Sequence, residues 1–220
     1  MHLGGIMVSG GFGRRTRQNS GSEERMDFEA FKASVIDGNG DFSGKDLTGI
    51  SVDDAEFSGF EFSDATLNEV VLDNLDLTDC VFKNSDFKNG KIHNVTLKGC
   101  DFSSAALDST VFDDVELVDC KFDDADMGKC KFNNVTLIGC SFTESSLKNA
   151  AFINADIKNT TYASSDLNQA TFSDISFDKV CFHDIDMNDM KFDDVEGTVT
   201  GEPVDSAKWE DAENWFDSNA

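Results

Sequence analysis

The side chains best suited to covalent or metal chemistry in this 220-residue sequence are three histidines and six cysteines. Nucleophilic catalysis needs a Ser or Cys bonded to a His that an acid orients. His2, His93 and His183 are far apart in the chain, and His93 and His183 occupy polar slots of the pattern described below, so they read as solvated surface residues. Cys80, Cys100, Cys120 and Cys140 recur every twenty residues rather than as Cys-x-x-Cys pairs, which suits packing better than zinc ligation. Cys130 belongs with them in an apolar series, whereas Cys181 takes a polar slot and is the thiol expected to meet thiol reagents first. No Gly-rich phosphate loop is present, and the Asp-rich stretches lack the spacing of a dedicated Ca2+ loop. The expectation is a chain that is not an enzyme, with no catalytic residues, metal ligands or cofactor.

Charge is the chemistry that remains. The chain carries 43 acids against 18 Lys and Arg, a net charge of −25, and all its Arg residues precede residue 26. Such a surface repels phosphates, which excludes ordinary direct nucleic-acid binding. No run approaches the ~20 apolar residues of a spanning helix, so no membrane association is expected. Six Cys without a signal peptide point to a reducing compartment and a cytoplasmic location. The acids fall in bands: residues 41–79 hold 11 acids and one Lys, 101–126 hold nine and one, and 173–196 hold eight and two Lys. Between them, residues 80–100 and 127–172 are neutral or slightly basic.

Positioning these charges is the task of an internal repeat. From Phe42 to Phe192 every fifth residue is large and apolar or aromatic, 31 in succession without a slip. Two places before most of them lies a smaller residue, as at Ala65, Cys80, Val95, Ala105, Val135 and Ala155. A helix would scatter a five-residue period around its whole surface, and a flat strand would throw alternate members onto opposite faces. The chain must therefore turn a corner every five residues. Steps of twenty from Phe42 give Phe62, Phe82, Phe102, Phe122, Phe142, Tyr162 and Phe182, an all-aromatic column. Like types therefore recur after four corners. At ~4.8 Å per coil, nearly eight coils make a rod roughly 37 Å long.

The recurring unit of a small, a polar, a large and two polar residues, as in Ala65-Thr66-Leu67-Asn68-Glu69 and Ala155-Asp156-Ile157-Lys158-Asn159, resembles the pentapeptide repeat proteins. The resemblance implies an all-β solenoid, a right-handed quadrilateral β-helix of about eight coils with short terminal helical caps, over residues 40–196. It also offers a function, since the family includes topoisomerase-binding proteins of the quinolone-resistance type. Lys45 and Phe60 depart from the pattern by standing where a small residue belongs; Phe60 suggests local widening or overlap with a terminal element.

The flanks read separately. Residues 1–25 are Gly-, Ser- and Arg-rich and are expected to be a disordered leader or an artificial extension, with Met26 a plausible start. Residues 26–39 form an N-terminal cap, with Phe28, Phe31, Val35 and Ile36 on its apolar face; 197–204 form a linker. Residues 205–220 form a C-terminal helix in which Trp209, Trp215 and Phe216 either cap the rod or make a homodimer contact.

Steps of twenty also align the acids. Asp53, Asp73, Asp113 and Asp193 share one column and Asp54, Asp114, Asp174 and Asp194 the next, an acidic edge along the rod. The array's net −20 is close to the roughly 22 phosphate charges on the same length of duplex DNA. A DNA mimic that occupies the DNA-binding channel of DNA gyrase or topoisomerase IV, protecting or inhibiting it, is therefore one expectation. The alternative is a scaffold or protein–protein interaction module with no topoisomerase role.

Overall fold

The computed structural model describes residues 25–200, together with the backbone of residues 2–9. Coils of twenty residues stack into a parallel β-solenoid. Each of its long strands β2 (Ser51–Ser58), β3 (Val71–Thr78), β4 (Lys91–Lys98), β7 (Lys131–Ile138), β8 (Ala151–Lys158), β9 (Thr171–Cys181) and β10 (Lys191–Thr200) wraps two walls of one coil. In the fourth coil the strand divides into β5 (Val111–Asp113) and β6 (Glu116–Val118), which both lie between β4 and β7. The register advances by twenty: Ser51 opposes Val71, Lys131 opposes Ala151, and Ala151 opposes Thr171. The other two walls are joined by single parallel bridges, Asp41 to Glu61 to Val81 and Asp46 to Thr66 to Asp86, repeated down the rod.

Backbone conformation makes the corners. The second residue after each large one has positive φ at all 31 corners from Gly44 to Asp194. On the bridged walls the corner is also a hydrogen-bonded turn, as where Ala65 N–H donates to Phe62 O (3.1 Å) and Val70 N–H to Leu67 O (3.2 Å). Asp, Asn and Gly fill 23 of these corners because a short polar side chain, or none, tolerates the left-handed region.

This geometry turns every large residue inward. Phe102 and Phe122 are buried and stack at 5.0 Å between ring centroids with 8° between planes, and their column continues through Phe142, Tyr162 and Phe182. A second ladder, Phe112, Phe132, Phe152 and Phe172, stacks at 4.5–4.7 Å and meets the first edge-on. Buried Ser85 and Ser145 donate to the carbonyls of Phe82 and Phe142 in their own turns, so these two inward hydroxyls are satisfied.

The N-terminal end departs from expectation in several places. Helix α1 (Phe28–Ile36) is capped by the Asp27 carboxylate, which accepts from Ala30 N–H at 2.8 Å. It buries Phe31 and Val35, with Phe31 packed on Phe42 at 4.8 Å, but Ile36 is exposed rather than part of the apolar face. Phe60 is accommodated in the interior. It is fully buried between Phe57 and Phe62, beside Phe42, and the preceding member of its column is Gly40, which leaves it room. Residues 1–25 are not wholly without structure, because β1 (His2–Ser9) pairs parallel with the free edge of β2. At the other end β10 runs to Thr200, so 197–200 continue the sheet rather than beginning a linker. The segment with Trp209, Trp215 and Phe216 lies outside the described residues. No helix among the described residues is long and apolar enough to cross a membrane.

Candidate binding surface

The acidic edge follows from the register. On each long strand the residue after the large one points outward from the wall, and the next sits at the left-handed corner. Asp53 therefore opposes Asp73, Asp73 opposes His93, His93 opposes Asp113, and Asp113 opposes Asn133. Asp54, Asp114, Asp174 and Asp194 occupy corners with φ of 50–57°. The structure thus gathers Asp53, Asp54, Asp73, Asp113 and Asp114 into one patch and Asp174, Asp193 and Asp194 into another. Coils bearing Asn133, Asn134, Ile153 and Asn154 separate the two, so the edge is interrupted rather than continuous.

Hydrogen bonds between coils hold these side chains in file. Asn74 Nδ2 donates to Asp53 Oδ1 (2.9 Å), Asn94 Nδ2 to Asn74 Oδ1 (2.6 Å), and Asn154 Nδ2 to Asn134 Oδ1 (2.7 Å). His93 is not simply a solvated residue. Its Nδ1 lies 2.8 Å from Asp73 Oδ1 and its Nε2 3.6 Å from Asp114 Oδ2. The bond to Asp73 raises its pKa, with Asp113 and Asp114 adding to the effect against a desolvation penalty.

Sequence columns left out one side of this surface. Beyond the corner, the column Glu56, Asp76, Thr96, Glu116, Thr136, Asp156, Ser176 and Glu196 runs parallel to the Asp edge. From Asp76 onward acids alternate with hydroxyls, which keeps like charges two coils apart; the same twenty-residue step would have found it. Between the columns lies an open groove of about 610 Å³, with Asn134, Asn154 and Asp174 on one side and Asp156 and Glu196 on the other.

The bridged walls are acidic too, and part of their charge is paired. Lys83 pairs with Asp101 at 3.0 Å and Lys148 with Asp166 at 2.8 Å, each across adjacent coils. The cysteine column is interior: Cys80, Cys100, Cys120 and Cys140 are free and buried, and Cys100 Sγ donates to Leu77 O at 3.5 Å. Bonds between neighbouring thiols push Cys100 and Cys140 up and pull Cys120 down. The walls around them are apolar, so burial decides and holds the column protonated. Cys130 is pushed up by burial, and Cys181 is partly exposed.

Known families match this pattern. Residues 125–198 match the model for a pentapeptide repeat region, and residues 61–99 and 91–128 match that for pentapeptide repeats. The chain belongs to the pentapeptide repeat family. No curated protein matches it in sequence. Among solved structures it is similar to HetL, a pentapeptide repeat protein involved in heterocyst differentiation regulation in the cyanobacterium Nostoc sp. strain PCC 7120. The identity is 15%, covering 78% of this chain and 94% of HetL, with a TM-score of 0.52. The plasmid-mediated fluoroquinolone resistance protein QnrB1 matches at 18% identity over 69% of this chain and 78% of its own, with a TM-score of 0.43. These likenesses concern the fold.

Proposed function

We propose that this pentapeptide repeat protein is a noncatalytic binding rod whose acidic edge docks in the basic DNA-binding channel of a type II topoisomerase, DNA gyrase or topoisomerase IV, in place of DNA. The observation that carries this reading is the alignment of Asp53, Asp73 and Asp113 with Glu56, Asp76 and Glu116 on the two sides of one corner of a stiff rod. Two files of negative charge parallel to the axis offer a basic channel what a duplex backbone offers. Docking depends on long-range attraction between fixed charges, so it needs no catalytic group. The six free thiols suit the reducing cytoplasm where such a partner works.

A second reading rests on a different observation. Residues 127–172 carry three acids and four Lys, and Ile153 is 42% exposed there. A scaffold that meets its protein partner through this neutral stretch would ignore topoisomerases. A supercoiling assay separates the two. With the acidic edge at work, the protein alters gyrase supercoiling at micromolar concentration, and a variant with Asp53, Asp73, Asp113 and Asp193 all changed to Lys does not. If neither changes the reaction, the topoisomerase reading fails and the scaffold remains.

A further inference from the structure

One cluster on the acidic edge has a donor set that docking to a basic protein does not require. One ligand atom from each of His93, Asp113 and Asp114 lies within 4.8 Å of the other two. We propose that His93 Nε2 and the carboxylates of Asp113 and Asp114 form a surface site for Zn2+, with Asp73 as a positioning residue for the imidazole.

Asp73 makes this more than a meeting of acids. It lies on β3, on the far side of His93 from the two carboxylates, and its Oδ1 is 2.8 Å from His93 Nδ1. With the Nδ1 proton held there, the neutral imidazole presents its Nε2 lone pair to Asp113 and Asp114. Metal-bound histidines almost always have such a carboxylate or carbonyl on their other nitrogen, which fixes the tautomer and raises ligand basicity. One nitrogen and two carboxylate oxygens with an open fourth position suit Zn2+, whereas Ca2+ takes six to eight oxygens and Mg2+ a strict octahedron of them. The side chains of His93 and Asp114 are about half exposed, so an ion can enter without the rod opening. The rod supplies its own comparison: Asp53–Asp54 and Asp193–Asp194 are the same adjacent pair at the same corner, but they oppose Asp73 and Ser173 rather than a histidine.

The test is titration of the full-length protein with ZnCl2 at pH 8, followed by calorimetry and by 15N spectra of the histidine side chains. One saturable zinc per chain is expected, with the His93 Nε2 resonance moving on binding. His93→Gln should weaken binding at least tenfold and Asp73→Asn by about 10- to 100-fold, the latter with an altered tautomer balance in the metal-free 15N spectrum. His183→Gln and Asp193→Asn should leave affinity unchanged, and unaltered circular dichroism would establish that the variants fold. The proposal is overturned if zinc binding does not saturate, if His93→Gln binds as the parent does, or if equimolar Ca2+ displaces the zinc. Each of those outcomes would mark diffuse counter-ion attraction instead of a site.

Discussion

Tyr162 carries the one hydroxyl in the first aromatic column, and its Oη is fully buried without a hydrogen-bond partner. Burial also drives its pKa well up, since a phenolate inside the column would have no solvation. Tyr162→Phe removes the unsatisfied group and keeps the stack between Phe142 and Phe182, so it should raise stability by about 1 kcal/mol in urea denaturation. A loss of that size would mean that the hydroxyl has a partner. Asp101 is the opposite case. Burial pushes its pKa up, but bonds from Ser103 and Lys83 outweigh burial and leave it below the ordinary carboxylate value. A depressed folded-state pKa contributes stability above the unfolded value, which is lost as pH falls through the folded one. The parent should therefore lose more stability than Asp101→Asn between about pH 4 and pH 2. Comparing the two chains cancels the general relief of negative charge on acidification. Sequence placed Tyr162 in its column, but not these costs and gains, because they depend on which atoms meet between coils.

Elements were legible where they repeat and obscure where they do not. The five-residue period required corners, and the twenty-residue recurrence required four of them per coil, because no other step keeps Phe with Phe and Cys with Cys. The period did not single out which residue of the five is left-handed, although the Asn, Asp and Gly at that position were the available signal. Lys129 and Lys179 hold that conformation without a short polar side chain to ease it, at φ of 58° and 56°. Replacing Lys129 with Asn should stabilise the rod by up to about 1 kcal/mol, read as a shift of the urea midpoint at constant slope. An unchanged or lower midpoint would show that the lysine stem repays its strain by covering the wall. Strand β1 and the extension of β10 escaped notice for another reason. Each adds to an existing parallel edge through backbone groups, which needs no apolar rhythm in the added segment. Ile36 was misplaced because α1 is short, and packing of Phe31 on Phe42 sets its rotation.

At the scale of the described rod, closing the corners puts the large apolar residues and most of the thiols inside and leaves the charged side chains on the outer walls. Half of the candidate surface was legible, since Asp53, Asp73 and Asp113 align by simple counting. The matching column from Glu56 to Glu196 aligns by the same counting, but its place beside the Asp edge follows only from the bend at each corner. His93 was misjudged because its carboxylate neighbours lie twenty residues away on either side, whereas only a second histidine was sought. The central claim is that this acidic edge binds a basic channel as DNA does. It is tested most directly by measuring the affinity of the intact protein for DNA gyrase across a salt series, with duplex DNA as competitor. Binding should weaken steeply and linearly on logarithmic axes as salt rises, and DNA should displace the protein. An affinity indifferent to salt, or a ternary complex in which gyrase holds DNA and the rod together, would contradict it.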